Sequence, residues 1–392
     1  MKRNCLVLLI PIIIFLAGCN PNSDYPLPPT SMPLKIGSSN ISTILVSPEH
    51  SIILPTGFKI NVFADGLQEP KMMAFGPDQK LYISEYGSGK VLRFSDQDND
   101  GTADGNEIVV EGLIEPSGLA FFEDGSLYVA ETTRIFRFTD PDGDGNYQDR
   151  ETIIAGISAG GNSNRTIIFS PDWKRLFLAV GSSCNVCLEQ DERRASIMLM
   201  KPDGSEPQIY ARGLRYVIGL DFHPERETLW GAVIGREGLG DNLPPEIIYI
   251  LYLETDGGWP FCHAGDIIDP DFGDKDSCTE DILQPRFSIE AHTAPHGLEF
   301  YTGSQFPEEY QDDLFIALHG SGEADSAAGY KIIRKPLGVG GSEVIQDFAV
   351  GWVQNDGNHW GTPMDLIEGP DGSLFLSDDY AGVIYRITYE GD

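Results

Sequence analysis

Phe75-Gly76-Pro77-Asp78-Gln79-Lys80-Leu81-Tyr82-Ile83-Ser84 is the stretch from which the fold is read. A Phe closes one extended segment, Gly-Pro-Asp makes a tight turn, and Leu-Tyr opens an apolar run too short for a helix. The Leu-aromatic pair recurs at Leu127-Tyr128, Leu176-Phe177, Leu229-Trp230, Leu314-Phe315 and Leu374-Phe375. Turn residues precede several of these pairs: Asp124-Gly125 after Phe121, Ser170-Pro171-Asp172 after Phe169, and Gly369-Pro370-Asp371-Gly372. The intervals run from about 46 to 60 residues, with one of about 85, which is the period of four-stranded propeller blades. Long helical periodicity is absent. Six such units predict an all-β chain, a six-bladed β-propeller over residues 56–392.

The segment Phe58-Lys59-Ile60-Asn61-Val62-Phe63 alternates apolar and polar residues ahead of the first unit. The last unit ends on Val383-Ile384-Tyr385-Arg386-Ile387. Pairing the two would seal the ring and remove an open sheet edge. The long fourth interval, with Cys262 and Cys278 inside it, reads as an insertion over one mouth of the central channel. Loops at that mouth are where function is expected.

The chain has 392 residues, 41% hydrophobic and 22% charged, with 27 Lys+Arg against 60 Asp+Glu and a net charge of -33. No basic stripe is available to neutralise phosphates, so nucleic-acid binding is excluded, and adsorption to anionic lipid is disfavoured. At the start, Lys2 and Arg3 precede the apolar run Leu6–Leu16, the layout of a secretory signal over residues 1–18 rather than a spanning helix. Leu16-Ala17-Gly18-Cys19 resembles a bacterial lipoprotein box, which implies cleavage before Cys19 and lipidation of its thiol. Residues 19–55, rich in Pro, Ser and Asn at their start, read as a tether between lipid and domain. The protein is therefore expected outside the cytoplasm, lipid-anchored to a membrane. Four cysteines remain, and an even count in an exported chain favours the disulfides Cys262–Cys278 and Cys184–Cys187. The alternative, a four-Cys zinc site, requires both pairs to converge.

Two acidic stretches have calcium-loop spacing. Asp96, Asp98, Asp100, Gly101, Asp104 and Glu107 occupy positions 1, 3, 5, 6, 9 and 12 of an EF-hand ligand loop. Asp140, Asp142, Asp144, Gly145 and Glu151 repeat positions 1, 3, 5, 6 and 12. The flanks are strand-like, so the expectation is two structural Ca²⁺ ions in hairpin loops.

Several motifs then follow in order: Gly181-Ser182-Ser183-Cys184-Asn185-Val186-Cys187, Ala211-Arg212-Gly213-Leu214-Arg215, Gly257-Gly258-Trp259-Pro260, Ala291-His292-Thr293-Ala294-Pro295 and Ser377-Asp378-Asp379-Tyr380-Ala381-Gly382. Together they resemble the sorbosone dehydrogenase and soluble PQQ-dependent aldose sugar (glucose, pyranose) dehydrogenase family, over about residues 56–390. The resemblance implies pyrroloquinoline quinone (PQQ) and Ca²⁺ at the channel mouth. It also implies oxidation of an aldose to a lactone, with a base taking the anomeric proton while hydride moves to the quinone. It places Arg215 and Thr293 on the cofactor and the backbone of Gly235 and Arg236 on its Ca²⁺. His292 and His319 fall on motifs that face the mouth. The electron acceptor is not legible.

The chain departs from that pattern at the chemistry. The family's Gly-Gly-His, whose His is the catalytic base, reads Gly160-Gly161-Asn162 here, and an amide does not accept a proton near neutral pH. Tyr216 and Ile248 replace two Asn, and Gly322-Glu323-Ala324 replaces Trp-Asn-Arg. Trp360-Gly361-Thr362-Pro363 lacks an Arg. His292 and His319 are the fallback acid-base residues. The expectation is an exported lipoprotein with the family's scaffold and a partly eroded active site. Two other readings stand beside it: a non-catalytic cell-surface propeller that binds carbohydrate or protein, and a Ca²⁺-dependent hydrolase or lactonase.

Overall fold

The computed structural model describes residues 41–391 except 141, 142, 144, 146, 148, 321–327, 339–343 and 355. The expected signal segment 1–18, Cys19 and the expected tether as far as residue 40 lie outside the described residues, as do Asp142 and Asp144 of the expected second calcium loop and position Glu323.

Six antiparallel sheets stand around a channel. Their innermost strands are Pro70–Phe75, Leu119–Phe121, Arg165–Phe169, Val217–Phe222, Pro295–Phe300 and Pro363–Glu368, for blades 1 to 6 in that order. Each packs against the innermost strands of both neighbours, so the ring is closed. The second strands are Leu81–Glu85, Leu127–Glu131, Leu176–Val180, Leu229–Val233, Leu314–Leu318 and Leu374–Asp378, each starting at a Leu-aromatic pair. Every residue in them is buried. A blade's interior is covered on both faces by neighbouring blades, so its strands read as continuous apolar runs rather than alternating ones.

The Pro-Asp and Asp-Gly turns repeat one contact as well as one shape. Asp78, Asp124 and Asp371 each pair with an Arg on the third strand of the same blade: Arg93, Arg137 and Arg386. Closure follows the expected register. Phe58–Ala64 is the outermost strand of blade 6, antiparallel to Val383–Tyr389, with Ile60 opposite Ile387 and Asn61 opposite Arg386.

The boundary placed after residue 55 is corrected by the structure. Strands Ile41–Leu45 and Ser51–Pro55 form a hairpin on the outer edge of blade 5, and Ile52 and Leu54 are fully buried. The Pro- and Ser-rich composition that suggested a tether ends at Pro48; beyond it Ile52 and Leu54 alternate with partly exposed neighbours, as a strand requires.

The core is distributed over the seams. Six apolar clusters fill the seams: Met72, Tyr82 and Val91 meet Leu127 and Phe136 across the first, and Phe63, Leu81 and Phe94 meet Phe375 and Ile384 across the last. Trimming a buried Leu to Ala in such a cluster typically costs ~2–5 kcal/mol.

Each seam also carries a side-chain bond to the backbone near the channel. Between blades 1 and 2, Ser84 Oγ donates to the Ser117 carbonyl at 2.7 Å. Between 2 and 3, Arg165 N–H donates to Ser117 Oγ at 2.8 Å, and between 3 and 4, Thr166 Oγ1 donates to the Ile218 carbonyl at 2.6 Å. The other three seams use carboxylates, and between blades 6 and 1 Ser377 Oγ also donates to the Lys71 carbonyl at 2.7 Å. Phe300 N–H donates to Asp221, Glu368 N–H to Glu299, and Met73 N–H to Asp365, each at 2.9 Å.

The insertion, residues 252–286, leaves blade 4 after its third strand, Glu246–Leu251. It climbs beside blade 3, where Thr255 and Asp256 pair in parallel with Ala211 and Arg212. It then folds back as a small hairpin at Cys262-His263 and Ile267-Ile268. Cys262 is bonded to Cys278.

Candidate functional site

In four antiparallel strands, the loops between second and third strands and the loops between blades open on the same end of the ring. Asn162, Arg215, Gly235, Arg236, His292, Thr293 and His319 all lie in those loops or at their ends. The two acidic loops connect third to fourth strands and therefore lie at the opposite end.

On the side of blades 3 and 4, Arg215 is buried and its guanidinium is fully engaged. Its Nη1 donates to the Gly235 carbonyl at 2.7 Å, its Nε donates to the Asn185 carbonyl at 3.1 Å, and Glu237 lies 3.7 Å away. Asn185 sits inside the Cys184–Cys187 disulfide ring. Its side chain exchanges two bonds with the Glu237 backbone, and its carbonyl also accepts Trp259 Nε1 from the insertion. One residue thus ties blade 3, blade 4 and the insertion together. Beneath, Glu246 accepts Gly235 N–H at 2.7 Å, and burial pushes its carboxyl up to about 7. Arg236 pairs with Asp269, which His263 Nε2 also meets at 2.8 Å. Burial acts to raise Asp269, but His263 and Arg236 outweigh it and hold the carboxyl down at about 2.

Asn162 takes its place on the loop entering blade 3 and behaves as a donor. Its Nδ2 donates to Ser182 Oγ at 2.9 Å, and its own carbonyl accepts Arg165 Nη1 at 2.9 Å. Arg165 and Arg194 are both buried and bond to carbonyls of residues 158–164, which shapes that loop.

On the side of blades 5, 6 and 1, His319 Nε2 lies 3.0 Å from Asp379 Oδ1, and its ring stacks on His296 at 4.3 Å. Thr362 Oγ1 also donates to Asp379, and Lys71 forms an ion pair with it. Burial acts to raise Asp379, but the His319 and Lys71 contacts outweigh it and hold the group well below the usual carboxylate range. Next to it, burial pushes Asp378 up to about 6 while it accepts Thr362 N–H and Ala381 N–H. His292 faces elsewhere: its Nε2 lies 2.9 Å from the Gly240 carbonyl. Thr293 turns its hydroxyl back onto the Glu290 carbonyl at 2.8 Å.

Sequence reasoning did not find Lys71, Glu246, His263 or Asp269. Asp379 was visible in the Ser377–Gly382 motif, but nothing in the linear sequence shows that a Lys some 308 residues away is its partner.

In the first acidic loop, carboxylate oxygens of Asp96, Asp98 and Asp104 lie within 4.8 Å of one another. Asp100 is turned to the Thr102 N–H. Glu107 pairs with Arg93 of the neighbouring strand. In the second loop Asp140 receives the N–H groups of Gly143 and Gly145, while Glu151 sits 3.9 Å from Arg137.

Three of the cations at the mouth are already engaged within the chain. A flat quinone with three carboxylates needs uncommitted cations, yet Arg215, Arg236 and Lys71 are matched to this chain's own carbonyls and carboxylates. The Gly235 carbonyl, implied as a metal ligand, already accepts Arg215, and Thr362 stands where the pattern has an Arg.

Comparison with known proteins gives two family matches: a domain of unknown function, DUF7133, over residues 47–230, and a TrAA12-like family over residues 267–390. An uncharacterized protein of Borreliella burgdorferi is 32% identical over 232 residues, covering 58% of this chain and 61% of that protein. A pyrroloquinoline quinone-dependent pyranose dehydrogenase of Coprinopsis cinerea is 23% identical over 406 aligned positions, covering 87% of this chain and 55% of that protein. The chain thus spans little more than half the length of these curated relatives. Among solved structures, the holo PQQ domain of the Coprinopsis cinerea enzyme superposes with a TM-score of 0.74 at 18% identity, covering 87% of this chain and 98% of that one. A calcium structure of a Trichoderma reesei family AA12 enzyme gives 0.75 at 18%, covering 89% and 99%. A PQQ-bound aldose sugar dehydrogenase of Streptomyces coelicolor gives 0.61 at 18%, covering 86% and 99%.

Proposed function

We propose that this chain, a distant homologue of the soluble PQQ-dependent aldose sugar and pyranose dehydrogenase-like propellers, binds an aldose or related carbohydrate at its channel mouth and oxidises it through PQQ weakly or not at all. One observation carries the reading. Arg215, Arg236 and Lys71 are paired within the chain, and the position of the base is an amide that donates to Ser182. A neutral, hydroxyl-rich ligand suits such a mouth better than a tricarboxylate, because it does not have to break those ion pairs.

On this reading the protein works outside the cytoplasm, held by lipid on Cys19. Its acidic loops hold Ca²⁺ as a structural ion, with Asp96, Asp98 and Asp104 as the first loop's oxygens. The test is reconstitution with PQQ and Ca²⁺, a dye-reduction screen over aldoses, and calorimetry with the same sugars in the absence of quinone. Heat of sugar binding with negligible dye reduction is expected. Robust dye reduction by the native protein overturns the reading in favour of an active dehydrogenase, and no sugar binding in either assay overturns it in favour of a protein-binding propeller.

A further inference from the structure

Between the outer edge of blade 3 and the insertion lies a cleft of about 420 Å³, and none of Asn162, Arg215, Arg236, His292 or His319 lines it. That is an ordinary volume for a small-molecule site. One wall is fixed by backbone pairing, since Thr255 and Asp256 run parallel to Ala211 and Arg212 at the blade's outer strand. The Cys262–Cys278 bond ties the Phe261 side of the insertion to the segment that carries Ser277, another lining residue.

Two features say what fits there. The Phe261 ring is 40% exposed although its backbone is held on both sides. Its N–H donates to the Gly258 carbonyl and its own carbonyl accepts Asp269 N–H, each at 2.9 Å. An aromatic face presented to water on a fixed backbone is a platform for the apolar face of a sugar ring. In the same cleft Arg212 Nε donates to Asp256 Oδ2 at 2.8 Å, and Asp256 Oδ1 accepts Gly258 N–H at 2.9 Å. Among the described residues that is the one side-chain hydrogen bond of Arg212, and its side chain is 71% exposed. Its two Nη groups therefore remain for a ligand, beside a carboxylate with lone pairs to spare. A planar donor fork next to an acceptor matches adjacent hydroxyls.

Charge narrows the class. Within the cleft one cation faces one anion. Around it the insertion adds Asp271, Asp274, Asp276, Glu280 and Asp281 against Lys275. An anionic ligand would meet that field, whereas a neutral polyol would not.

We propose that this cleft is a second carbohydrate site, taking a neutral pyranose stacked on Phe261 and held through its hydroxyls by Arg212 and Asp256. It goes beyond the reading of the mouth and does not depend on it.

Hydrogen exchange read by mass spectrometry on the full-length protein tests this, with cellobiose, lactose and maltose as probes and glucuronate as the charged control. At least one neutral disaccharide is expected to slow exchange several-fold over residues 256–262 and 277–283, and glucuronate is not. Phe261→Ala should abolish that protection, while Phe261→Trp, which keeps a platform, should retain it. If Phe261→Ala does not fold, Arg212→Ala takes its place with the same expected loss. Protection confined to the mouth loops, residues 319–320 and 378–382, overturns the cleft site and leaves the mouth reading standing; protection confined to the cleft does the reverse. No protection at either place, protection that survives Phe261→Ala, or equal protection by glucuronate overturns the cleft site.

Discussion

At Asn162 the side-chain amide stands where the family resemblance implies a base, and here it donates a hydrogen bond to Ser182. A general base is worth roughly 10²–10⁴ in rate. Asn162→His is therefore expected to raise PQQ-dependent dye reduction above the native level, with a larger gain when Thr362→Arg supplies a cation for the cofactor. Native turnover that persists in Asn162→Ala would place the base elsewhere, with His319 the next residue to replace. Gly361 offers a stability test beside the same cluster. A Cβ there would fall 2.1 Å from Asp378 Oδ2 and 2.5 Å from Trp352 Cδ1. Gly361→Ala should destabilise by ~1–3 kcal/mol, the usual range for overpacking, measured by denaturant unfolding. Asn162, Arg215 and His319 were legible because each lies in a short motif. Lys71, Glu246 and Asp269 were not, because their roles come from partners brought together by the ring, and no local pattern announces a long-range pair.

Among the elements, the second strands were the most legible, since burial on both faces demands a continuous apolar run and each run starts at the same dipeptide. The hairpin at residues 41–55 was missed because composition was averaged across its start, and its pairing with blade 5 is long-range. The acidic loops give an element-level prediction. Three converging carboxylates repel unless a cation joins them, and a ligand that binds only the native state stabilises it. Chelation should lower the melting temperature, and Asp98→Ala should shrink that shift. Calcium analysis that finds no ion in protein purified without chelator would remove the idea. The insertion gives another. Its Cys262–Cys278 bridge spans 16 residues, for which loop entropy suggests ~3 kcal/mol, so Cys262→Ser with Cys278→Ser should destabilise by up to that amount in equilibrium unfolding.

For the molecule as a whole, the proposed anchoring and the ring closure are tested separately. Cys19→Ser is expected to move the protein from the membrane to the soluble fraction after detergent-free lysis, and a variant that still pellets would contradict a lipid on that residue. A chain starting at Ile41 should fold, whereas one starting at Asp65 should aggregate, because it leaves Val383–Tyr389 as an open edge. Light scattering of the two purified chains distinguishes them. The same pairing also sets a clock for biosynthesis. Lys59 lies opposite Thr388, so this strand waits for a partner translated much later. At a ribosomal rate of ~5–20 residues per second that wait is roughly a quarter of a minute to a minute, during which the ring stays open. Blades 1 to 5 can assemble as they emerge, but the last cannot be completed until its far partner arrives. Phe58–Ala64 therefore stays unpaired through that interval, and whatever shields it from other chains decides how much protein reaches the closed state.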